Sequence, residues 1–230
     1  EGHQLLKATR AQFLGIETKL EELKGQRTHS LTVGMSSYFA SRWLSPRLMS
    51  FMQLFPDIQL RIQPMTQLFD LERQGVDVAI RWGNGAWDDV EITPFLTMPA
   101  WPTGNSDVAK RVKTIGLERA FSELTLLRDH DDSTAWSDWH KAAGLSHQMR
   151  KDTLIIPDPN VRVQAVIDGQ GIALNDRLIK QEIEEGKLVR LSEVELSSYG
   201  YFLAQPSSGP NAHSVEEFVQ WLKDTQTNEL

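Results

Sequence analysis

The sequence predicts an α/β protein whose first part is built on a parallel sheet. Three observations lead there. Runs at 30–35 (SLTVGM), 58–64 (IQLRIQP) and 76–82 (VDVAIRW) have the length and β-branched or alternating character of strands. The segments between them carry apolar residues at helical spacing, giving β-α-β-α-β in about fifty residues, a repeat that calls for parallel strands with crossover helices. The 230 residues, 40% hydrophobic and 24% charged, suffice for one sizeable core or two smaller ones.

In chain order, residues 1–27 read as an exposed helix. Leu6, Thr9, Phe13, Ile16, Leu20 and Leu23 recur at spacings of three and four, a narrow stripe suited to a partner helix or to packing on the same domain. The stretch LKGQRTHS then reads as a linker. After the first strand, Ser36 and Ser37 offer cap oxygens to a helix carrying Phe39, Leu44, Leu48, Phe51, Met52 and Phe55. Pro46 is expected to kink or restart that helix, and Pro56 ends it. Following the second strand, Thr66 or Gln67 opens a helix through Leu68, Phe69, Leu71 and Glu72, which Gly75 stops.

The third strand runs into Gly83 and Gly85. A dinucleotide fingerprint would need a third glycine where Asp88 stands, and Asp89 and Glu91 would repel a pyrophosphate. The glycines instead predict a tight turn at a strand end, with Trp82 or Trp87 closing over its neighbour. Further on, ELTLLRD (123–129) reads as a strand, and Ser133 caps a helix of Trp136, Trp139 and Ala143. Gly169 and Gly171 punctuate a helix-to-strand turn, and YGYFLAQ (199–205) is a strand. Val215, Phe218, Val219 and Leu222 stripe a final helix.

Composition removes several functions. A net charge of -7 is the wrong sign for a chain that must itself neutralise phosphates. Cysteine is absent, which excludes disulfides and thiolate metal sites. No apolar stretch reaches the ~18 residues needed to cross a bilayer. The N-terminal residues lack the apolar centre of a signal peptide, so the expectation is a cytoplasmic protein without membrane contact. His130, Asp131, Asp132, Asp138 and His140 crowd possible metal or acid-base groups. Their spacing does not match a helical metal pair, and the acids and Ser133 fit a helix start, so neither a metal site nor catalytic residues are assigned.

Two stretches, LTVGMSSYFASRWLSPRLMSFMQLFPDIQLRI and DLERQGVDVAIRWGNGAWDDVEITPFL, resemble the effector-binding domain of LysR-type transcriptional regulators. They are closest to the branch of the glycine-cleavage activator and β-lactamase regulators. LTLLRDHDDSTAWSDWHKAAGL and VQAVIDGQGIALNDRLIKQEIEEGKLVRL extend the resemblance over nearly the whole chain.

The resemblance implies two periplasmic-binding-protein-like (type II) α/β subdomains with an effector cleft between them, preceded by a linker helix at 1–27. Subdomain I would comprise 28–96 and 203–230, and subdomain II 97–202, with crossings near Phe95 to Pro99 and Tyr201 to Gln205. Carried over by position, Ser36, Ser37 and Thr66 would turn hydroxyls and helix-end amides toward a small ligand, an arrangement suited to a carboxylate. Trp82 and Gly83 would form a wall, with Asp158, Pro159 and Asn160 opposite and Arg81 a candidate carboxylate clamp. The chain departs from the family at TMPAWPTGNSDVAKR, where Pro99 and Pro102 predict a short strand and altered ligand contacts from Trp101 and Thr103. Leu6, Phe13, Ile16, Leu20 and Leu23 would mediate self-association as dimer or tetramer. DNA would be met by a helix-turn-helix head outside this chain, without cofactor or enzyme activity. The alternatives are a solute receptor or an enzyme on the same fold.

Overall fold

The computed structural model describes residue 15 and residues 29–66, 70–87, 90–146, 154–206 and 211–227. The expected self-association stripe of Leu6, Phe13, Ile16, Leu20 and Leu23 lies outside these residues.

Of the two sheets among the described residues, the larger is ordered β2-β1-β3-β8-β4. Its strands are β1 (His29–Met35), β2 (Ile58–Pro64), β3 (Val78–Gly83), β4 (Glu91–Thr97) and β8 (Gly200–Gln205). β1 pairs in parallel with β2 and β3, as the spacing predicts, whereas β8 runs antiparallel to both β3 and β4. Pro94 is tolerated because β4 is an edge strand, and the register shifts beside it.

Helix α1, residues 37–54, leaves the end of β1. Ser36 caps it, its Oγ accepting from the Phe39 N–H at 3.2 Å. The helix widens to a π turn at Ala40–Leu44, tightens to a 3-10 turn at Ser45–Arg47 and resumes as α at Leu48–Leu54. Pro46 is the cause: it has no N–H to donate and its ring crowds the preceding turn. Helix α1 and the C-terminal helix (Ala212–Thr227) both cover the first sheet. Leu31, Val33 and Met35 of β1 are fully buried against Phe39, Phe51, Phe218 and Leu222. Phe51 meets the Phe218 ring edge-on at 5.3 Å.

The smaller sheet is ordered β6-β5-β7, with β5 (Trp101–Gly104), β6 (Ala173–Asn175) and β7 (Val189–Arg190). β5 has four residues, and Pro102 within it contributes its carbonyl, which accepts from the Leu191 N–H at 2.9 Å. Helices α2 (Ser106–Ile115), α3 (Leu117–Glu123), α4 (Ala135–Ala142), α5 (Pro159–Ile167) and α6 (Lys180–Glu184) surround this sheet; the C-terminal helix is α7. Phe121, Trp136, Trp139 and Ile172 form its core. Gly171, at φ 154°, packs so closely that an added Cβ would lie 2.2 Å from the Thr125 carbonyl oxygen.

The chain passes between the sheets twice, and the two passages lie side by side. The Leu196 N–H donates to the Ala100 carbonyl at 2.9 Å, and Gly200 pairs with Thr97. The expected boundaries near 96 and 203 fall inside β4 and β8, because both strands belong to the larger sheet throughout.

Three local expectations give way. The described part of the anticipated 66–75 helix is a wound loop. Asp70 takes φ +54°, and Val76 donates to the Leu71 carbonyl while Leu71 and Val76 bury beside Met65 and Ala79. Segment 123–129 is not a strand: α3 runs through Glu123, and the residues after it make two isolated parallel bridges, Leu126 to Ile172 and Arg128 to Ile155. The residue before α4 is Thr134 rather than Ser133, and its hydroxyl reaches forward to Asp138 at 3.0 Å.

Candidate functional site

The two lobes face one another where the N-terminal ends of α1 and α5 converge. Asp158 precedes Pro159, whose fixed φ suits the first helical turn, and the Asp158 side chain caps α5. Its Oδ1 accepts from the N–H groups of Asn160 and Val161 at 2.8 and 3.1 Å. Its Oδ2 accepts from the Ser37 hydroxyl of the opposite lobe at 3.1 Å, and Asn160 Nδ2 donates back to Ser37 Oγ at 3.1 Å. Ser37, Asp158 and Asn160 are therefore brought together. The carboxylate received by Ser37 beside this helix start is the protein's own.

A second, fully buried junction lies deeper. Asp176, at the end of β6, accepts from the Leu178 N–H and the Tyr38 hydroxyl at Oδ1, and from the Tyr201 hydroxyl at Oδ2, at 2.9, 2.8 and 2.9 Å. Burial pushes the Asp176 carboxyl up, and these three hydrogen bonds oppose that rise. Burial, then the adjacent Asp176 charge, raises both tyrosines well above 10.0, so their hydroxyls keep their protons. Beside them Arg42 pairs with Glu182 at 2.7 Å and donates to the Leu178 carbonyl. Burial lowers Arg42, but its bond and attraction to Glu182 outweigh that and leave it raised.

The other expected residues take different places. Ser36 spends its oxygen on the cap of α1. Thr66 is exposed. Trp82 donates Nε1–H to the Met98 carbonyl at 3.3 Å and packs its ring 5.0 Å from Tyr199, touching both cores. Gly83 supports Trp87, whose ring would lie 2.6 Å from an added Cβ. Arg81 does not reach the lobe junction: on the face opposite Trp82 its guanidinium lies 4.6 Å over the Trp87 ring. Trp101 lies under Arg190 at 4.7 Å, with Nε1 buried and without a hydrogen-bond partner. Thr103 is fully buried, its hydroxyl donating to the Ala173 carbonyl and accepting from Asn175, so it offers no surface to a ligand in this conformation.

The sequence reading missed Tyr38, Tyr201, Asp176 and Arg162. Arg162, one turn into α5, is lowered by burial, donates to the Ile156 carbonyl at 2.6 Å and feels the charges of Asp129 and Asp158. The only signal for Asp176 in the sequence is an acid directly after an apolar strand, in GIALND. Among the described residues no group of His, Cys, Asp or Glu could hold a metal ion. His130 is exposed beside Asp132, and His140 is buried with Nδ1 at 2.7 Å from the Trp136 carbonyl oxygen.

Two α/β lobes joined by adjacent passages, with hydrogen bonds from one to the other, define a two-lobed module. Comparison with known proteins specifies it. The chain belongs to the family described as the LysR substrate binding domain, whose profile matches residues 24–227. The helix-turn-helix transcriptional activator AmpR of Rhodobacter capsulatus is 31% identical over 225 residues, covering 96% of this chain and 76% of that protein. The glycine cleavage system transcriptional activator of Escherichia coli K12 is 31% identical over 196 residues, 84% of this chain and 64% of that protein. The effector domain of AmpR from Pseudomonas aeruginosa superposes with a TM-score of 0.76 at 27% identity, over 87% of this chain and 96% of that one. CrgA from Neisseria meningitidis, 17% identical, shares the fold with a TM-score of 0.70 over 97% and 76% of the two chains. The fold is the type II periplasmic-binding-protein-like fold, and the chain is the effector-binding domain of a LysR-type transcriptional regulator.

Proposed function

We propose that this domain senses a small molecule held between its lobes and passes the result to a self-associated regulator that contacts DNA. The observation that supports this most directly is the Ser37, Asp158 and Asn160 cluster, which joins the lobes through hydrogen bonds that a ligand could replace. A ligand acts on such a module only through different affinities for different lobe arrangements, and polar contacts across a cleft supply that difference. The cleft residues are Ser36, Ser37, Trp82, Asp158 and Asn160, with the lobes divided after β4 and before β8, so that the second lobe lies within 98–199. Regulation of transcription, not catalysis, is the activity, and a regulator of DNA works in the cytoplasm. No helix among the described residues is long and apolar enough to cross a membrane. Self-association runs through the 1–27 stripe, and DNA is met by a helix-turn-helix outside this chain.

Two measurements test this reading. Sequencing the gene upstream of the Glu1 codon should reveal a helix-turn-helix with a basic recognition helix within about sixty codons; a signal peptide there would point to a solute receptor instead. A thermal-shift screen of small metabolites should yield a stabilising compound whose effect weakens in Ser37→Ala, since a ligand that binds the folded state raises its stability.

A further inference from the structure

Asn84 and Gly85 stand together in the turn that follows β3, the only asparagine-glycine pair in the sequence. Such a pair is chemically reactive. A backbone nitrogen can attack the side-chain amide of the residue before it and close a five-membered imide, and glycine has no Cβ to hinder the approach. The fold leaves this attack open. Asn84 is exposed, and Gly85 takes φ +80° with an N–H that makes no hydrogen bond among the described residues. The Ala86 N–H donates to Asn84 Oδ1 at 3.1 Å, at the oxygen on which negative charge gathers when the amide carbon is attacked. The nitrogen that must leave, Nδ2, is held by no hydrogen bond among the described residues.

The other described asparagines differ at that last point. Nδ2 of Asn105 donates to the Ile167 carbonyl, of Asn160 to Ser37, of Asn175 to Thr103 and of Asn211 to Asp77, at 3.3, 3.1, 2.7 and 3.0 Å. Each would lose a hydrogen bond as its amide departs. Asp168 and Gly169, the one aspartate-glycine pair, are blocked at the attacking atom instead: the Gly169 N–H donates to the Val166 carbonyl at 3.0 Å. Among the described residues, Asn84 alone combines a free attacking nitrogen, a donor on the oxygen and a free leaving group.

We propose that Asn84 is a site of spontaneous covalent modification, converting to aspartate and isoaspartate without an enzyme. Solvent base takes the Gly85 amide proton, the nitrogen bonds to Asn84 Cγ, and the Cγ–Nδ2 bond breaks with Nδ2 leaving as ammonia. Water then opens the imide. Opening at the side-chain carbonyl leaves aspartate, and opening at the main-chain carbonyl routes the backbone through the side chain as isoaspartate. One water enters and one ammonia departs. Either product adds a negative charge to the turn, and isoaspartate also adds a methylene to the backbone. The turn has no slack for it: an added Cβ would lie 2.6 Å from the Trp87 ring at Gly83 and 2.9 Å from the Phe202 ring at Gly85.

The test holds the folded protein at mildly alkaline pH beside the same chain unfolded in guanidinium, and follows each asparagine by peptide mass spectrometry. In the folded protein Asn84 is expected to convert at least about tenfold faster than Asn105, Asn160, Asn175 or Asn211, a factor that the free leaving group and the unhindered glycine nitrogen together supply. Asn84→Gln, which would have to close a larger ring, should stay unmodified. Ion exchange separates the converted protein by its extra charge, and enzymatic methylation of the new carboxyl group marks the isoaspartyl fraction. That fraction should melt below Asn84→Asp, which carries the charge without the added methylene. Asn84 remaining intact in the folded protein after the unfolded chain has converted, or the other asparagines converting as fast, would overturn the proposal. An isoaspartyl fraction that melts with Asn84→Asp would overturn the strain assigned to the turn.

Discussion

The Tyr38 hydroxyl lies 2.8 Å from Asp176 Oδ1, a buried hydrogen bond that ties the first helix of one lobe to a strand end of the other. Tyr201 supplies the second arm, so a single carboxylate holds two hydroxyls from one side. Tyr38→Phe should cost about 1–2 kcal/mol in urea unfolding, the value of a hydrogen bond to an acidic group. Asp176→Ala should cost more, about 3 kcal/mol, because it strands two buried hydroxyls at once. Equal losses for the two variants would argue against a shared acceptor.

The same carboxylate makes stability depend on pH. Burial raises Asp176 above 3.8 in the folded state, so the folded protein holds this proton more tightly than the unfolded chain does. Between 3.8 and the folded value its contribution to stability therefore falls as pH rises. Asp176→Asn removes the ionisation. The stability of wild type relative to this variant should be greater at about pH 4 than at about pH 7. A difference that does not change with pH, measured by urea unfolding at both values, would contradict the raised carboxyl.

Gly200 stands where the two passages touch. A Cβ there would lie 2.5 Å from the Leu96 carbonyl oxygen and 3.2 Å from the Met98 nitrogen, both backbone atoms that cannot swing aside. Gly200→Ala should destabilise the protein by about 1–3 kcal/mol, the usual range for overpacking, read as a lower thermal midpoint.

Phe218 has no exposed surface and meets Phe51 edge-on and Trp221 at 5.7 Å. Phe218→Ala should cost about 3–5 kcal/mol through lost burial and the cavity left behind. Because the residue is remote from the smaller sheet's core, the Trp136 and Trp139 environment should keep its near-UV signal until the whole protein unfolds.

Self-association through the 1–27 stripe has its own test. Leu20→Asp places a charge in that stripe and should shift the sedimentation profile toward smaller species at micromolar concentration. An unchanged profile would move the contact elsewhere.

The parallel strands were legible because their periodicity is local: Leu31, Val33 and Met35 alternate within one strand and are all buried. The turn at Gly85 was legible for the same reason, and its φ is +80°. Segment 123–129 misled because LTLL has strand composition, while its bridging partners, Ile155 and Ile172, lie far along the chain and pair with it only at single residues. Arg81 had the right chemistry for a ligand clamp but falls on the opposite face of β3 from Trp82. Ser37, Asp158 and Asn160 came from resemblance, since nothing local marks residues 121 positions apart as neighbours. The tyrosines around Asp176 were invisible for that reason too: a tyrosine in an apolar run looks like core until its acceptor is found.

The paired passages at 97–100 and 196–200 also have a mechanical meaning. One tether would let the lobes swivel freely, but two laid side by side and cross-bonded from Leu196 to Ala100 act like a hinge plate, allowing a fold along one axis and resisting torsion about the other. Tyr201, one residue past Gly200, sets its bond to Asp176 close to that axis, where a given rotation displaces atoms least. On the proposed reading, molecules seated between the lobes would differ in how far they turn this hinge rather than in which direction.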